Sequence, residues 1–111
     1  MFPRGTVLTV AMGGASGTKP RPAVVVQANH LQFPDTLVIV PFSSGHLEAP
    51  ELRPVLLPDS GNGLSEPSTL MTNRIGAVLK PRIGDVIGEL STDDLQRVDR
   101  ALALVLGLDT A

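Results

Sequence analysis

Two short stretches hold the residues best suited to chemistry on an anion. In Lys19-Pro20-Arg21-Pro22-Ala23-Val24-Val25-Val26 an arginine sits between two prolines at the entrance to an apolar run. Each proline fixes its own φ and biases the residue before it toward extended backbone. A long cationic side chain launched from so stiff a backbone loses less freedom when it grips an anion. In Val40-Pro41-Phe42-Ser43-Ser44-Gly45-His46 a second apolar run ends in paired hydroxyls and a glycine turn. A guanidinium braces phosphoryl oxygens through paired hydrogen bonds, and a hydroxyl can add another. Taken singly, Arg21 also reads as a surface cation at a strand end, and Ser43-Ser44 as a hydroxyl-capped turn.

Other chemistries find little to work with. The chain has no cysteine, which removes disulfide frameworks, zinc ribbons and thiol catalysis and leans toward a reducing, cytoplasmic setting. His30 and His46 lie far from any metal-type spacing, so no metal and no cofactor are expected. Gly13-Gly14-Ala15-Ser16-Gly17-Thr18-Lys19 approaches a phosphate-binding loop in composition alone, since its lysine is not followed by Ser or Thr. It reads as a flexible hairpin loop.

The elements that must position these residues are short. Thr6 to Ala11, Pro22 to Gln27, Thr36 to Val40 and Arg53 to Leu57 read as strands, the last near an edge because of Pro54. The continuous apolar stretches among them are those of strands covered on both faces. Ser68 to Asn73, Ile75 to Leu79 and Asp85 to Leu90 are further candidates. Six or seven strands with frequent turns imply a small barrel or a strongly bent sheet. Met12 to Pro20 and Pro58 to Leu64 read as mobile loops. At the C-terminal end, Ser91-Thr92-Asp93-Asp94 has the capping-box form. Leu95, Val98, Leu102, Val105 and Leu106 then recur at helical spacing, and Gly107 is the expected stop.

Length and composition agree with one domain over residues 1–111, mainly β with a C-terminal α-helix. Hydrophobic residues make up 42% of the 111, enough for a core. Eleven glycines and ten prolines suit a turn-rich sheet better than a helical bundle. The N-terminus carries no apolar signal region, and no apolar run approaches the roughly 20 residues that a membrane helix needs. Nine basic and eleven acidic residues leave a net charge of -2, unevenly spread. Residues 1–34 carry Arg4, Lys19 and Arg21 with no acid, and residues 67–84 carry Arg74, Lys80 and Arg82 with none. If these segments meet, they form a local cationic face suited to a specific nucleic-acid site. With three Phe and no Trp or Tyr, binding mainly by base stacking is disfavoured.

The set of motifs, taken in order, is more specific than any one of them. Arg21-Pro22-Ala23-Val24-Val25-Val26 followed by Val38-Ile39-Val40-Pro41-Phe42-Ser43-Ser44 resembles the core pattern of the MazF/PemK toxins. Arg4-Gly5, Leu57-Pro58, Gly61-Asn62-Gly63-Leu64, Met71-Thr72-Asn73-Arg74-Ile75, Ile87-Gly88-Glu89-Leu90-Ser91 and Leu102 to Leu108 continue the match along nearly the whole chain. The resemblance implies a small SH3-like barrel of the MazF/PemK/CcdB-like kind. It further implies a homodimer that cuts single-stranded RNA at short sequences, as the growth-inhibiting endoribonuclease of a bacterial toxin–antitoxin pair. By the same resemblance Arg21 and Ser44 carry catalysis, with serine standing where the family more often has threonine. Many members have Glu in the first loop, where this chain has Ser16, and some have an acid near position 72, where it has Thr72 beside Asn73.

RNA carries its own nucleophile, since the adjacent 2′-hydroxyl can attack the phosphate without a metal-bound water. That route leaves a 2′,3′-cyclic phosphate and a free 5′-hydroxyl. Arg21 would stabilise the transition state and could donate a proton, and Ser44 would hold a non-bridging oxygen or the 2′-hydroxyl. His46 has the right kind of ring for a base, against the plainer reading of an exposed loop histidine. Thr18, Lys19, Ser43, His46, Asn73 and Arg74 are the candidate RNA contacts. A mean hydropathy of +0.20 leaves apolar surface for a second copy and for an acidic, partly disordered antitoxin segment. Two alternatives belong to other classes: a CcdB-like inhibitor that binds and poisons DNA gyrase, and a non-toxic SH3-like adaptor. Leu106-Gly107-Leu108-Asp109 lacks the aromatic typical of the first, and neither alternative uses the Arg-Pro and Ser-Ser motifs.

Overall fold

Side chains branched at Cβ fit a pleated surface better than a helix. In the computed structural model, which describes residues 2–11, 19–44 and 51–108, the valine-rich runs accordingly lie in strands. The elements are β1 (Thr6–Ala11), β2 (Pro20–Val25), β3 (Thr36–Ser43), β4 (Val55–Leu56), β5 (Ser68–Leu70), β6 (Gly76–Leu79), β7 (Ile83–Glu89) and α1 (Thr92–Val105). Short 3₁₀ turns at Thr72–Arg74 and Lys80–Arg82 flank β6. The sheet order is β4-β5-β3-β2-β1-β7, with β6 also paired to β3 and every pairing antiparallel.

The eight residues of β3 organise this sheet. Along one edge its first half pairs with β6, from Thr36↔Leu79 to Ile39↔Gly76, and its end pairs with β5 at Phe42↔Leu70 and Ser43↔Thr69. The change of partner falls around Pro41, which has no N–H to give to a ladder; its carbonyl accepts the Met71 N–H at 2.9 Å. On the other edge β2 pairs only over Ala23↔Pro41, Val24↔Val40 and Val25↔Ile39. Beyond Ala23 the two strands part, so Pro20 and Pro22 interrupt no ladder on that side. Between β1 and β7 two register shifts bend the sheet into a half-barrel.

Both faces of the sheet are covered, as the continuous apolar runs imply. On one face Val7, Val24, Val40, Phe42, Leu56, Leu64 and Leu70 pack with Val98 and Leu102 of α1. On the other, Leu8, Val10, Ala23, Val25, Leu37 and Ile39 pack with Phe2, Val78 and Ile83 as the sheet curls over itself. The buried Gln27 joins β2 to β3: its amide donates to the Leu31 carbonyl at 2.8 Å and accepts from the Val38 N–H at 3.1 Å.

Several sequence expectations need correcting. The segment Arg53 to Leu57 yields only Val55–Leu56, at the sheet edge, and Ser68 to Asn73 is a strand only to Leu70 before the 3₁₀ turn. That turn forms because the buried Thr72 hydroxyl is drawn to the Leu52 carbonyl. The stretch Pro58 to Leu64 is no loose loop but a tightly bonded one. Met12 to Thr18 lies outside the described residues.

The helix begins and ends as its residues require. Ser91 Oγ accepts the Asp94 N–H at 3.1 Å, but the reciprocal half of the capping box is absent, because the Asp94 carboxylate takes Arg97 at 3.3 Å. At the other end Gly107 adopts φ 72°, and the N–H groups of Gly107 and Leu108 bond to the Leu104 and Ala103 carbonyls, closing a Schellman turn. The predicted apolar stripe holds through Leu102, whereas Leu106 is half exposed (49%). No helix among the described residues is long and apolar enough to cross a membrane. Replacing Ser91 with alanine removes the N-cap acceptor and should lower stability by about 1 kcal/mol. The check is a lower urea midpoint with an unchanged slope.

Candidate active site

Where β2 and β3 part, a cavity of about 210 Å³ opens on the surface. At roughly 30 Å³ per water this is room for about seven, enough for a backbone linkage and part of a ribose. Arg21 and Pro22 line it from the mouth of β2, and Phe42, Ser43 and Ser44 from the end of β3. Thr9 of β1 and Ile87 of β7 close it below, and the segment from Gly63 to Ser68 forms the remaining wall. The apolar part is Pro22, Phe42, Leu64 and Ile87, and the polar part is five hydroxyls, one guanidinium and the Glu66 carboxylate. Arg21, Ser44 and Glu66 are all exposed, so a chain in solution can reach them.

The wall opposite the strands is held by the fully buried Asn62. Its amide donates to the Leu57 carbonyl at 2.9 Å, and its side-chain oxygen accepts the N–H groups of Leu64 at 3.0 Å and Asp59 at 3.3 Å. The Asp59 carboxylate returns the bonding, accepting from Gly61 and Asn62 at 2.8 Å each. Gly63 has φ +72°, and a Cβ there would collide with the Ile87 carbonyl of β7. This loop therefore lies flat on β7, with the Glu89 N–H bonded to the Gly61 carbonyl at 2.9 Å.

Of the residues expected from sequence, Arg21, Ser43 and Ser44 come together at this cavity. Lys19 is exposed two residues before Arg21, at the same strand mouth. Asn73 and Arg74 are not among the lining residues. They are exposed on the 3₁₀ turn after β5, which packs on α1 and β3. Thr18 and His46 lie outside the described residues. The two acid-free segments do meet, through the Val10↔Ile83 pair and through the Arg82 guanidinium, which donates to the Ala11 carbonyl at 3.2 Å; Ala11 pairs with Pro20 beside Lys19. Arg4 is instead tied to Asp99 of α1.

Sequence reasoning missed Thr9, Ser65, Glu66, Ser68 and Ile87 as lining residues. The one available sign was Glu66-Pro67, a charged residue extended by the proline after it, just before a strand. A second hollow of about 240 Å³, between Phe2, the β2–β3 connection and Lys80, offers less chemistry because the Gln27 amide there is already engaged. Among the described residues no group of three or more His, Asp or Glu could hold a metal ion.

The sequence pattern of the PemK-like, MazF-like toxins of type II toxin–antitoxin systems matches residues 3–106. The chain belongs to this family. It is 34% identical over 105 residues, 95% of its own length and 96% of the relative's, to a probable endoribonuclease MazF of Mycolicibacterium smegmatis. This protein is thus a MazF-like endoribonuclease toxin. Its fold matches a mycobacterial endoribonuclease solved in complex with its cognate antitoxin, with a TM-score of 0.77 and 22% identity over 100% of both chains. It also matches a MazE–MazF structure from Deinococcus radiodurans, with a TM-score of 0.73 and 21% identity over 95% of each chain. For this MazF-like chain, Asn62→Ala should cost about 2–3 kcal/mol, since it strands buried donors and acceptors at once. Hydrogen exchange checks it: the Asp59 and Leu64 amides should lose protection before the β2–β3 core does.

Proposed function

We propose that the protein cuts single-stranded RNA, without a metal, at the cavity between the mouths of β2 and β3. The observation that carries this reading is that Arg21 and Ser44, both exposed, line one cavity of about 210 Å³. The 2′-oxygen attacks phosphorus, the bond to the 5′-oxygen breaks, and the products are a 2′,3′-cyclic phosphate and a 5′-hydroxyl. Arg21 braces the charge that builds on the non-bridging oxygens, where a fixed donor acts most strongly. Ser44 holds one of those oxygens or the attacking hydroxyl. Lys19 and Ser43 contact the adjoining backbone, and Asn73 and Arg74, away from the cavity, serve nucleotides further along the strand. Thr18 and His46, neighbours of Lys19 and Ser44 in the sequence, complete the proposed contact set.

The cationic mouth around Lys19, Arg21 and Arg82 also suits an acidic, partly disordered antitoxin segment that would compete with RNA. The relatives solved with antitoxins support this part of the reading. Exposed Leu104, Leu106 and Leu108 provide apolar surface for a homodimer. A reducing cytoplasm, where RNA substrates are met, is the proposed setting. Family membership supports RNA cutting over the gyrase-binding alternative.

The test is cleavage of an RNA oligonucleotide by purified protein in EDTA. Cutting should persist, the new 5′ ends should be phosphorylated by polynucleotide kinase without phosphatase treatment, and a 2′-deoxy residue at the cut should block the reaction. Arg21→Ala should slow cleavage by about 10²–10³-fold, and Ser44→Ala by a smaller factor. Full activity of Arg21→Ala, or loss of cutting in EDTA, would sink the reading.

A further inference from the structure

A proton must leave the attacking 2′-hydroxyl, and among the described residues lining the cavity those assigned so far are poorly suited to take it. A guanidinium such as that of Arg21 has five donors and no acceptor, and the hydroxyls of Thr9, Ser43 and Ser44 are weak bases. Glu66 differs in kind, as the sole carboxylate among the described residues that line the cavity. The charged group lining the cavity with it is Arg21 of β2; β1, β3 and β7 contribute Thr9, Ser43, Ser44, Phe42 and Ile87.

Glu66 is also well supported. On its N-terminal side the chain is pinned by Asn62 and by Gly63 pressed against β7. Pro67 follows it and restricts its backbone to extended geometry. Ser68 Oγ donates to the Glu66 carbonyl at 2.9 Å. A carboxylate on so constrained a segment is held near a working position with less entropy to lose.

We propose that Glu66 is a catalytic residue whose carboxylate accepts the 2′-hydroxyl proton as that oxygen attacks phosphorus. The assignment rests on the RNA-cutting reading above and supplies a base from the described lining of the cavity, in preference to His46. The O2′–H bond breaks toward Glu66 and the O2′–P bond forms. The P–O5′ bond breaks with its electron pair leaving on O5′. Water, which reaches this exposed site, protonates O5′, and Glu66 later returns its proton to solvent, so no net proton is consumed. Arg21 offsets the repulsion between the carboxylate and the phosphodiester, which lets both occupy one cavity.

The experiment is single-turnover RNA cleavage by Glu66→Gln across a pH series, with thermal unfolding as a control for folding. The glutamine keeps the size and polarity of the side chain but cannot act as the base. The rate should fall by about 10²–10⁴-fold, and the rise of rate with pH on the acid side should disappear. Affinity for an oligonucleotide with a 2′-deoxy residue at the cut should be unchanged or tighter, as an anion has been removed. A substrate with sulfur replacing the bridging 5′-oxygen, whose leaving group needs no proton, should not restore the rate.

Four outcomes overturn the proposal: near-parental cleavage by Glu66→Gln at every pH, a loss explained wholly by weaker binding, recovery on the 5′-thio substrate, or an acid-side rise that survives Glu66→Gln but disappears in His46→Gln. The two levels of the argument fail differently. If the unaltered protein leaves RNA intact, the nuclease reading fails and this assignment with it. If RNA is cut, Arg21→Ala stops it and Glu66→Gln does not, only the Glu66 assignment is lost.

Discussion

The parting of β2 and β3 after the Ala23↔Pro41 pair is the constraint on which the candidate site depends. Up to that pair the two strands share a ladder whose residues are buried on both faces. Side chains alternate between faces with a period of two, so a one-residue slip would exchange the two sets of core residues. Each valine or isoleucine displaced from the core would forfeit about 1.5–3 kcal/mol. The register is therefore set by the interior, far from any chemistry. Its consequence at the surface is that Arg21 and the Ser43-Ser44 pair emerge at the same end of the sheet, on either side of an opening. Prolines enforce the ending on both strands, because neither Pro22 nor Pro41 has an N–H with which to extend a ladder.

A gap between strands becomes a site only when its far wall is also fixed. Here that wall is irregular backbone, which has no ladder of its own to hold it. Asn62 substitutes for one, engaging Leu57, Asp59 and Leu64 from a fully buried position. Gly63 and Gly88 allow the loop to lie against β7 without side-chain collision. Such a buried network is stabilising because every member is satisfied, and it would be costly if any one were removed. Glu66 owes its place on the cavity wall to this scaffold rather than to a strand.

The same economy governs the helix. Its inner face, Val98, Ala101 and Leu102, completes the core, while Leu104, Leu106 and Leu108 near its end stay exposed. Arg4, which sequence alone would place on a free cationic face, is bound to Asp99 of the helix and to the Val26 carbonyl. Lys19, Arg21 and Arg82 remain together at the mouth of β2, where Arg82 reaches the Ala11 carbonyl.

Much of this was legible in the amino-acid sequence, and the reason is locality. Thr6–Ala11 as a strand, the helix from Thr92 with its Ser91 cap, and the stop at Gly107 depend on side chains a few residues apart. The family likeness likewise rests on ordered short motifs, and it pointed to Arg21 and Ser44. Only the tertiary structure decided that Thr72 would turn a predicted strand into a 3₁₀ turn by reaching Leu52, and that the loop around Asn62 would be rigid. It alone removed Asn73 and Arg74 from the cavity and brought in Thr9, Ile87 and Glu66. Apart from the short-range bonds of Asn62, those outcomes turn on partners distant in the chain, such as Leu52 for Thr72 and Ile87 for Gly63, which only the closing of the sheet brings within reach.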